Sequence, residues 1–271
     1  MNNGLVSIIM PSYNTANYIG ESINSVINQS YKNWELIIVD DCSTDNTDEV
    51  IKDFLKDSRI KYLKNKENSG AAISRNKALR IARGEWIAFL DSDDLWMPNK
   101  LEKQLNFMKK NDYSFTFTDY NIRLNGKWLP YVYTAPDIIT KQKMYNYCYF
   151  STITVMWKRE KIGLIQIGNL KKNNDYAMWL HAIEKSNAYR LPECLSSYIK
   201  HDNSISSGNK LKLIKYHYIL FRKGLKKGKI LSCIFTIRNL FFGIIKKVKY
   251  KKYVKDYFQK GEKENDKKII I

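Results

Sequence analysis

GEWIAFLDSDDLW, residues 84–96, decides the fold. From Trp86 to Leu90 the stretch is almost unbroken apolar, as expected of a parallel strand covered on both faces. It then ends on Asp91, Asp93 and Asp94. A carboxylate is costly to bury unless something positive meets it. The stretch therefore implies a sheet edge with a cationic partner beside it.

Upstream, strand and helix patterns alternate. LVSIIM is a short run rich in β-branched residues, broken by PSYN, and Ile19, Ile23, Val26 and Ile27 follow at helical spacing. WELIIVDD is a second strand ending in two acids. Asn46 with Glu49 three residues on resembles a capping box for a helix that buries Val50, Ile51, Phe54 and Leu55. IKYLKN reads as a third strand. GAAISRNKALRIARG reads as a helix with Gly84 as its C-cap, and Pro98 fits the first turn of the helix NKLEKQLNFMKK. This βαβαβαβ order predicts an open α/β sheet. Ligands of such sheets bind outside the carboxyl ends of the strands. There the chain places Ser12, Tyr13 and Asn14, then Asp40 and Asp41, then Asp91, Ser92, Asp93 and Asp94. No GxGxxG fingerprint follows the first strand. A carboxylate-rich edge instead suits Mg²⁺ or Mn²⁺, hard ions that take one or two protein carboxylates plus substrate phosphates. Asp-rich turns also cap helices, and that structural role competes for each of these acids.

The 271 residues, 44% hydrophobic and 13% aromatic, belong to a folded chain. Four cysteines without a CxxC pair argue against a zinc knuckle or a disulfide framework and fit a reducing compartment. The apolar run Val6–Met10 stops at Pro11, too short for a signal peptide core, so the catalytic part is expected in the cytoplasm. Of the net charge of +19, residues 210–271 carry +15.

VSIIMPSYN, ELIIVDDCSTDNT, NSGAAISRNKAL and GEWIAFLDSDDLW together resemble, in order and spacing, the signature segments of the family 2 glycosyltransferases of GT-A fold, such as bacterial lipopolysaccharide, capsule and exopolysaccharide sugar transferases. The resemblance implies a Rossmann-like nucleotide-binding half with a mostly parallel sheet. It implies inverting transfer from a nucleotide-diphosphate sugar, most often a UDP-sugar, to an acceptor hydroxyl. Residues 1–110 would bind the donor, 111–208 the acceptor, and 209–271 would form a basic helical tail. Pro11, Tyr13 and Asp40 would line the nucleoside pocket, with Arg75 near the nucleotide. Asp91 would approach the ribose and Asp93 would hold the metal on the diphosphate. KKNNDYAMWLHAIEK is similar to the family element carrying the catalytic base, which maps onto Asp175, although the family's preceding glutamate is Asn174 here. SYIKHDNSIS is similar to a stretch near the donor diphosphate, which brings in Lys200 and His201, the latter also as a metal ligand; the family's arginine position is Ile199.

The aromatics of residues 112–170, among them Phe115, Phe117, Tyr120, Trp128 and Trp157, suit further strands and a sugar-facing surface. In the tail, the apolar stretch from Ile230 to Ile245 is too short to span a bilayer and has basic clusters on both sides. It reads as an interfacial helix on an anionic leaflet, with Phe235, Leu240, Phe241 and Ile244 on the acyl side. A peripheral enzyme on the cytoplasmic face of the inner membrane follows, acting on a glycan or lipid-linked saccharide. Nucleic acid is not an expected partner. Two other classes compete with this reading. A sugar nucleotidyltransferase would carry a Gly-rich phosphate loop, which MPSYNTANYIG does not offer. An inactive nucleotide-sugar binding protein would be expected to lose Asp93 or Asp175, and both are present.

Overall fold

Alternation of apolar residues on both faces of the first strands fixes where the sheet lies. The structure, a computed structural model, describes residues 4–200 and 210–255. In chain order its elements are β1 (Val6–Ser12), α1 (Ile19–Ile27), β2 (Trp34–Asp40), α2 (Thr47–Lys52), β3 (Ile60–Lys64), α3 (Ala71–Ile81), β4 (Trp86–Phe89), β5 (Leu95–Trp96) and α4 (Lys100–Lys110). There follow β6 (Phe115–Leu124), β7 (Lys127–Tyr133), β8 (Ile138–Ile139), α5 (Lys141–Asn146), β9 (Met156–Lys158), α6 (Arg159–Ile162), α7 (Asn174–Ala182) and β10 (Ala188–Lys200). The last are α8 (Lys210–Ile219), α9 (Lys229–Lys249) and β11 (Lys251–Tyr253).

One mixed sheet runs β11-β7-β6-β9-β4-β1-β2-β3, with β10 beside β6. The part formed by β3-β2-β1-β4 is wholly parallel. Val6, Ile8 and Met10 of β1 point to one face, packed with Ile19, Ile23 and Val26 of α1 and Leu101 and Leu105 of α4. Ile9 points to the other, with Ile37, Val39, Ile87, Phe89 and the buried residues of α3 and α7. Phe89, Phe115, Phe150, Trp157 and Trp179 interlock at ring centroid separations of 4.8 to 6.5 Å. This cluster joins the parallel half to the remainder, so Phe115, Phe117 and Trp157 are core residues rather than a sugar-facing surface.

Two local expectations are corrected. Asn46 makes no side-chain cap for α2; Asp45 does that work, accepting from the Thr47 N–H at 3.1 Å and from Ala16 N–H at 3.1 Å. Gly84 does not cap α3, which ends at Ile81. Its N–H donates to Ser7 Oγ at 2.7 Å, and Ser7 Oγ donates to Glu35 Oε1 at 2.6 Å. Glu35 also accepts from the Arg83 N–H at 2.7 Å and from Lys61 Nζ at 2.8 Å. Burial opposes that charge, yet these donors hold the Glu35 carboxyl below its ordinary pKa. Gly84 is present because the backbone passes too close to β1 for a side chain: a Cβ would lie 2.5 Å from Ser7 N.

The C-terminal segment packs on α5 and α7 through one face and adds β11 to the sheet beside β7. Phe235, expected on the acyl side, turns inward instead, 5.1 Å from the Tyr145 ring and 5.2 Å from Phe221. Leu240 is half-buried, while Phe241 and Ile244 face outward as expected.

Gly84→Ala tests the close approach. Overpacking at a backbone contact is expected to cost about 1–3 kcal/mol of unfolding free energy in urea titration. An unchanged midpoint would show that β1 and the 83–85 turn are not held together as described.

Candidate active site

The loops after β1, β2 and β4 meet at the carboxyl ends of the strands, and side chains stitch them together. Asn14, at φ 51, accepts from Thr44 N–H at 2.9 Å, and its own N–H donates to Ser43 Oγ at 2.9 Å. Pro11 lies buried in β1, and Tyr13 is left 46% exposed just beyond it. Asp40 is fully buried. Its Oδ1 accepts from the Ser43 N–H at 3.1 Å and from the Ser43 hydroxyl, and its Oδ2 accepts from Tyr62 OH at 3.1 Å. Burial and the Asp40 charge raise the Tyr62 pKa, so that phenol remains a donor. Lys64 Nζ stands 3.6 Å from Asp40. Asp41 holds the next loop: it accepts from Asn65 Nδ2 at 2.8 Å, Ser69 N–H at 3.0 Å and Gly70 N–H at 2.6 Å.

Arg75 is the centre of the arrangement. It projects from α3 into a buried position, where Nη2 donates to Asp91 Oδ1 at 2.6 Å and Nη1 donates to Asn174 Oδ1 at 2.6 Å. Burial alone would lower its pKa, but the charges of Asp91, Asp175 and Asp93 overcome that and raise it. One guanidinium thus faces the acidic loop after β4 and the first turn of α7 together. Asp175 lies in that first turn, where its Oδ2 accepts from Thr152 Oγ1 at 3.3 Å. The helix starts from Asn173 in the left-handed region, φ 59.

The three acids after β4 are in three different states. Asp91 is paired with Arg75. Asp94 is fully buried; desolvation first, then the charges of Asp93 and Asp91, push its pKa well up. Its Oδ1 accepts from the Ile199 N–H at 2.8 Å, which ties the acidic loop to the end of β10, the strand that ends at Lys200. Asp93 is pushed up to about 6 by burial and by the Asp91 charge. His201 lies outside the described residues.

Among the described residues, no three His, Cys, Asp or Glu side chains form a metal cage. A Mg²⁺ or Mn²⁺ ion needs less, since one or two carboxylates suffice when substrate oxygens complete the shell. A crowded oxygen ligand whose ionised form burial and repulsion disfavour, Asp93 with Asp91 beside it, fits such an ion. Asp91, Asp93 and Asp175, each singled out from the sequence, lie close enough to Arg75 to act on its charge. The sequence pattern gave no signal for Asp94 reaching Ile199, or for Asn174 holding Arg75, because both contacts bridge about a hundred residues.

The family model "Glycosyl transferase family 2" matches residues 7–166. An Escherichia coli relative, the UDP-Glc:alpha-D-GlcNAc-diphosphoundecaprenol beta-1,3-glucosyltransferase WfgD, is 43% identical over 217 residues, 79% of this chain and 84% of WfgD. Staphylococcus aureus TarS 1–349 in complex with UDP-GlcNAc superposes with a TM-score of 0.68 at 21% identity, covering 87% of this chain and 71% of TarS. The Pyrobaculum calidifontis mannosyltransferase PcManGT, in complex with GDP-Man and Mn²⁺, gives a TM-score of 0.58 at 20% identity, over 83% of this chain and 65% of that one. At these identities the two structures speak to the fold alone.

The state of Asp93 sets a pH dependence. Its folded pKa is raised, so its contribution to stability is fully present below about pH 4 and is lost as pH rises through about 6, by up to about 3 kcal/mol. Urea midpoints across this range, without divalent cation, should fall more steeply for the wild type than for Asp93→Asn, and Mn²⁺ should restore the wild type at neutral pH. Superimposable profiles for the two proteins would refute the assignment.

Proposed function

The chain belongs to glycosyl transferase family 2, and from that premise we propose that it is an inverting, metal-assisted transferase. It moves a sugar, from UDP in the first instance, onto a hydroxyl of a glycan or lipid-linked saccharide for a bacterial surface polysaccharide. The family membership carries a nucleotide-sugar-dependent glycosyl transfer; the rest is our reading. The observation that supports it most is the single buried guanidinium of Arg75, bonded on one side to Asp91 and on the other to Asn174 beside Asp175. A cation so held ties the carboxylates suited to a donor diphosphate to the carboxylate suited to an acceptor hydroxyl.

In this mechanism Pro11, Tyr13 and Asp40 form the nucleoside side and Asp91 approaches the ribose. Asp93 would hold the Mg²⁺ or Mn²⁺ ion, with His201 as a further candidate. The ion's contribution is to offset charge on the leaving diphosphate. Lys200, at the end of β10, and Arg75 add positive charge on the same side. Asp175 accepts the proton of the acceptor hydroxyl as its oxygen bonds to the anomeric carbon, opposite the breaking bond to the diphosphate. Attack from that face inverts the configuration. The WfgD acceptor, a sugar on diphosphoundecaprenol, supports a membrane-borne acceptor here, met at the cytoplasmic face of the inner membrane by a peripheral enzyme.

Two substitutions separate the roles. Asp93→Ala should lower turnover to below about a tenth of wild type at saturating Mn²⁺, because the diphosphate loses its main counter-charge. Asp175→Asn should leave the dissociation constant for the nucleotide sugar unchanged while kcat collapses by about a hundredfold or more. Isothermal titration with the donor, together with mass spectrometry of products, measures both. A large loss of donor affinity in Asp175→Asn would move that residue to the nucleotide side.

A further inference from the structure

Helix α9 is amphipathic, but its polar side faces the protein. Toward the domain it turns Ser232, Thr236 and Asn239, all buried, and Gly243, where a Cβ would lie 2.8 Å from the Tyr147 ring. Thr236 Oγ1 donates to Ser232 O at 2.7 Å, Asn239 Nδ2 donates to Tyr176 Oη at 2.7 Å, and Lys246 Nζ donates to Cys148 O at 3.1 Å. Toward solvent it turns Ile230 (78% exposed), Ile237 (67%), Phe241 (60%) and Ile244 (69%), together with Leu231, Ile234 and Ile245. At 100° per residue these seven fall within a little more than a third of the helix circumference, so they form one continuous stripe. Exposed apolar stripes of this kind mark an interaction surface.

Charge identifies what covers the stripe. Residues 210–255 contain fifteen Lys and Arg and no Asp or Glu. Exposed cations stand at both ends of the helix: Arg222, Lys223 and Lys226 before it with Lys229 at its start, and Lys249 at its end with Lys251 and Lys255 beyond. An apolar stripe between two cationic clusters matches a leaflet with acyl chains beneath anionic headgroups. Among the described residues no helix is long and apolar enough to cross a membrane, so the helix would lie in the interface. We propose that the outward face of α9, centred on Ile237, Phe241 and Ile244, is a docking surface for an anionic lipid leaflet. The proposal rests on the reading of a membrane-borne acceptor and extends it. Tyr176, which takes the Asn239 bond, is next in sequence to Asp175, and its hydroxyl donates to Met144 O at 2.5 Å. Docking through α9 therefore holds the helix of the candidate base, α7, against the surface from which the acceptor arrives.

Vesicle flotation of the full-length chain tests this. On phosphatidylglycerol–phosphatidylcholine vesicles the wild type should float at low salt and be released at high salt. It should bind phosphatidylcholine vesicles weakly. The triple variant Ile237→Asp, Phe241→Asp, Ile244→Asp should lose about tenfold or more in partitioning while keeping its thermal midpoint and its release of UDP from UDP-sugar by hydrolysis. A second variant, Lys226→Gln, Lys229→Gln, Lys249→Gln, leaves the stripe intact and should lose binding to the anionic vesicles alone. Undiminished flotation of either variant overturns the proposal. So does a wild type that does not float, or one that is a dimer by light scattering and becomes monomeric in the triple variant, since a second copy would then cover the stripe. Flotation as expected without any donor hydrolysis would instead sink the transferase reading and leave the docking surface standing.

Discussion

Asp91, Asp93 and Asp94 crowd the carboxyl end of β4, and three negative charges cannot share that space in a partly dry environment without relief. The structure relieves them in three ways. Asp91 receives the Arg75 guanidinium. Asp94, fully buried, is driven toward its neutral form and takes the Ile199 N–H. Asp93, raised by burial and by the Asp91 charge and only partly offset by Arg75 and a backbone hydrogen bond, is the acid whose ionised form a further cation would favour. The division follows from burial and neighbours, not from residue type, since all three are aspartates within one turn.

The remainder of the fold serves to hold that loop in place. Register between β1 and β4 runs through Val6–Ile9 and Trp86–Phe89, so the two strand ends and the loops beyond them are fixed to each other. Apolar side chains on both faces lock β4 between α1 and α4 on one side and α3 and α7 on the other. Because α3 and α7 share a face of the sheet, Arg75 from one can reach Asn174 on the other. The candidate base is thereby positioned by the same core that positions the acidic loop.

The parallel half was legible because its strands are short runs between breakers, and its candidate site acids lie at or just beyond a strand end. WELIIVDD and EWIAFLDSDD show both features locally. What escaped reading depends on contacts without a local signature. Gly84 looked like a helix cap because it follows a helical pattern, yet its reason is the passage of β1, some 77 residues earlier. Asp94 looked like a turn residue because its partner lies 105 residues on. Phe235 looked like a lipid-facing residue because periodicity gives the existence of a stripe and not the side on which the protein lies.

Asn174 illustrates how a departure from a family pattern acquires meaning only in three dimensions. Read along the chain, replacing a glutamate by asparagine beside the candidate base removes one negative charge. In the structure that position is a hydrogen-bond partner of Arg75. An amide oxygen satisfies one arm of the guanidinium without cancelling its charge, so Asp91 is the only carboxylate bonded to it among the described residues. A glutamate there would place a second negative charge against the same cation and offset more of its charge. The asparagine therefore leaves the charge of the buried Arg75 guanidinium less compensated than a glutamate would.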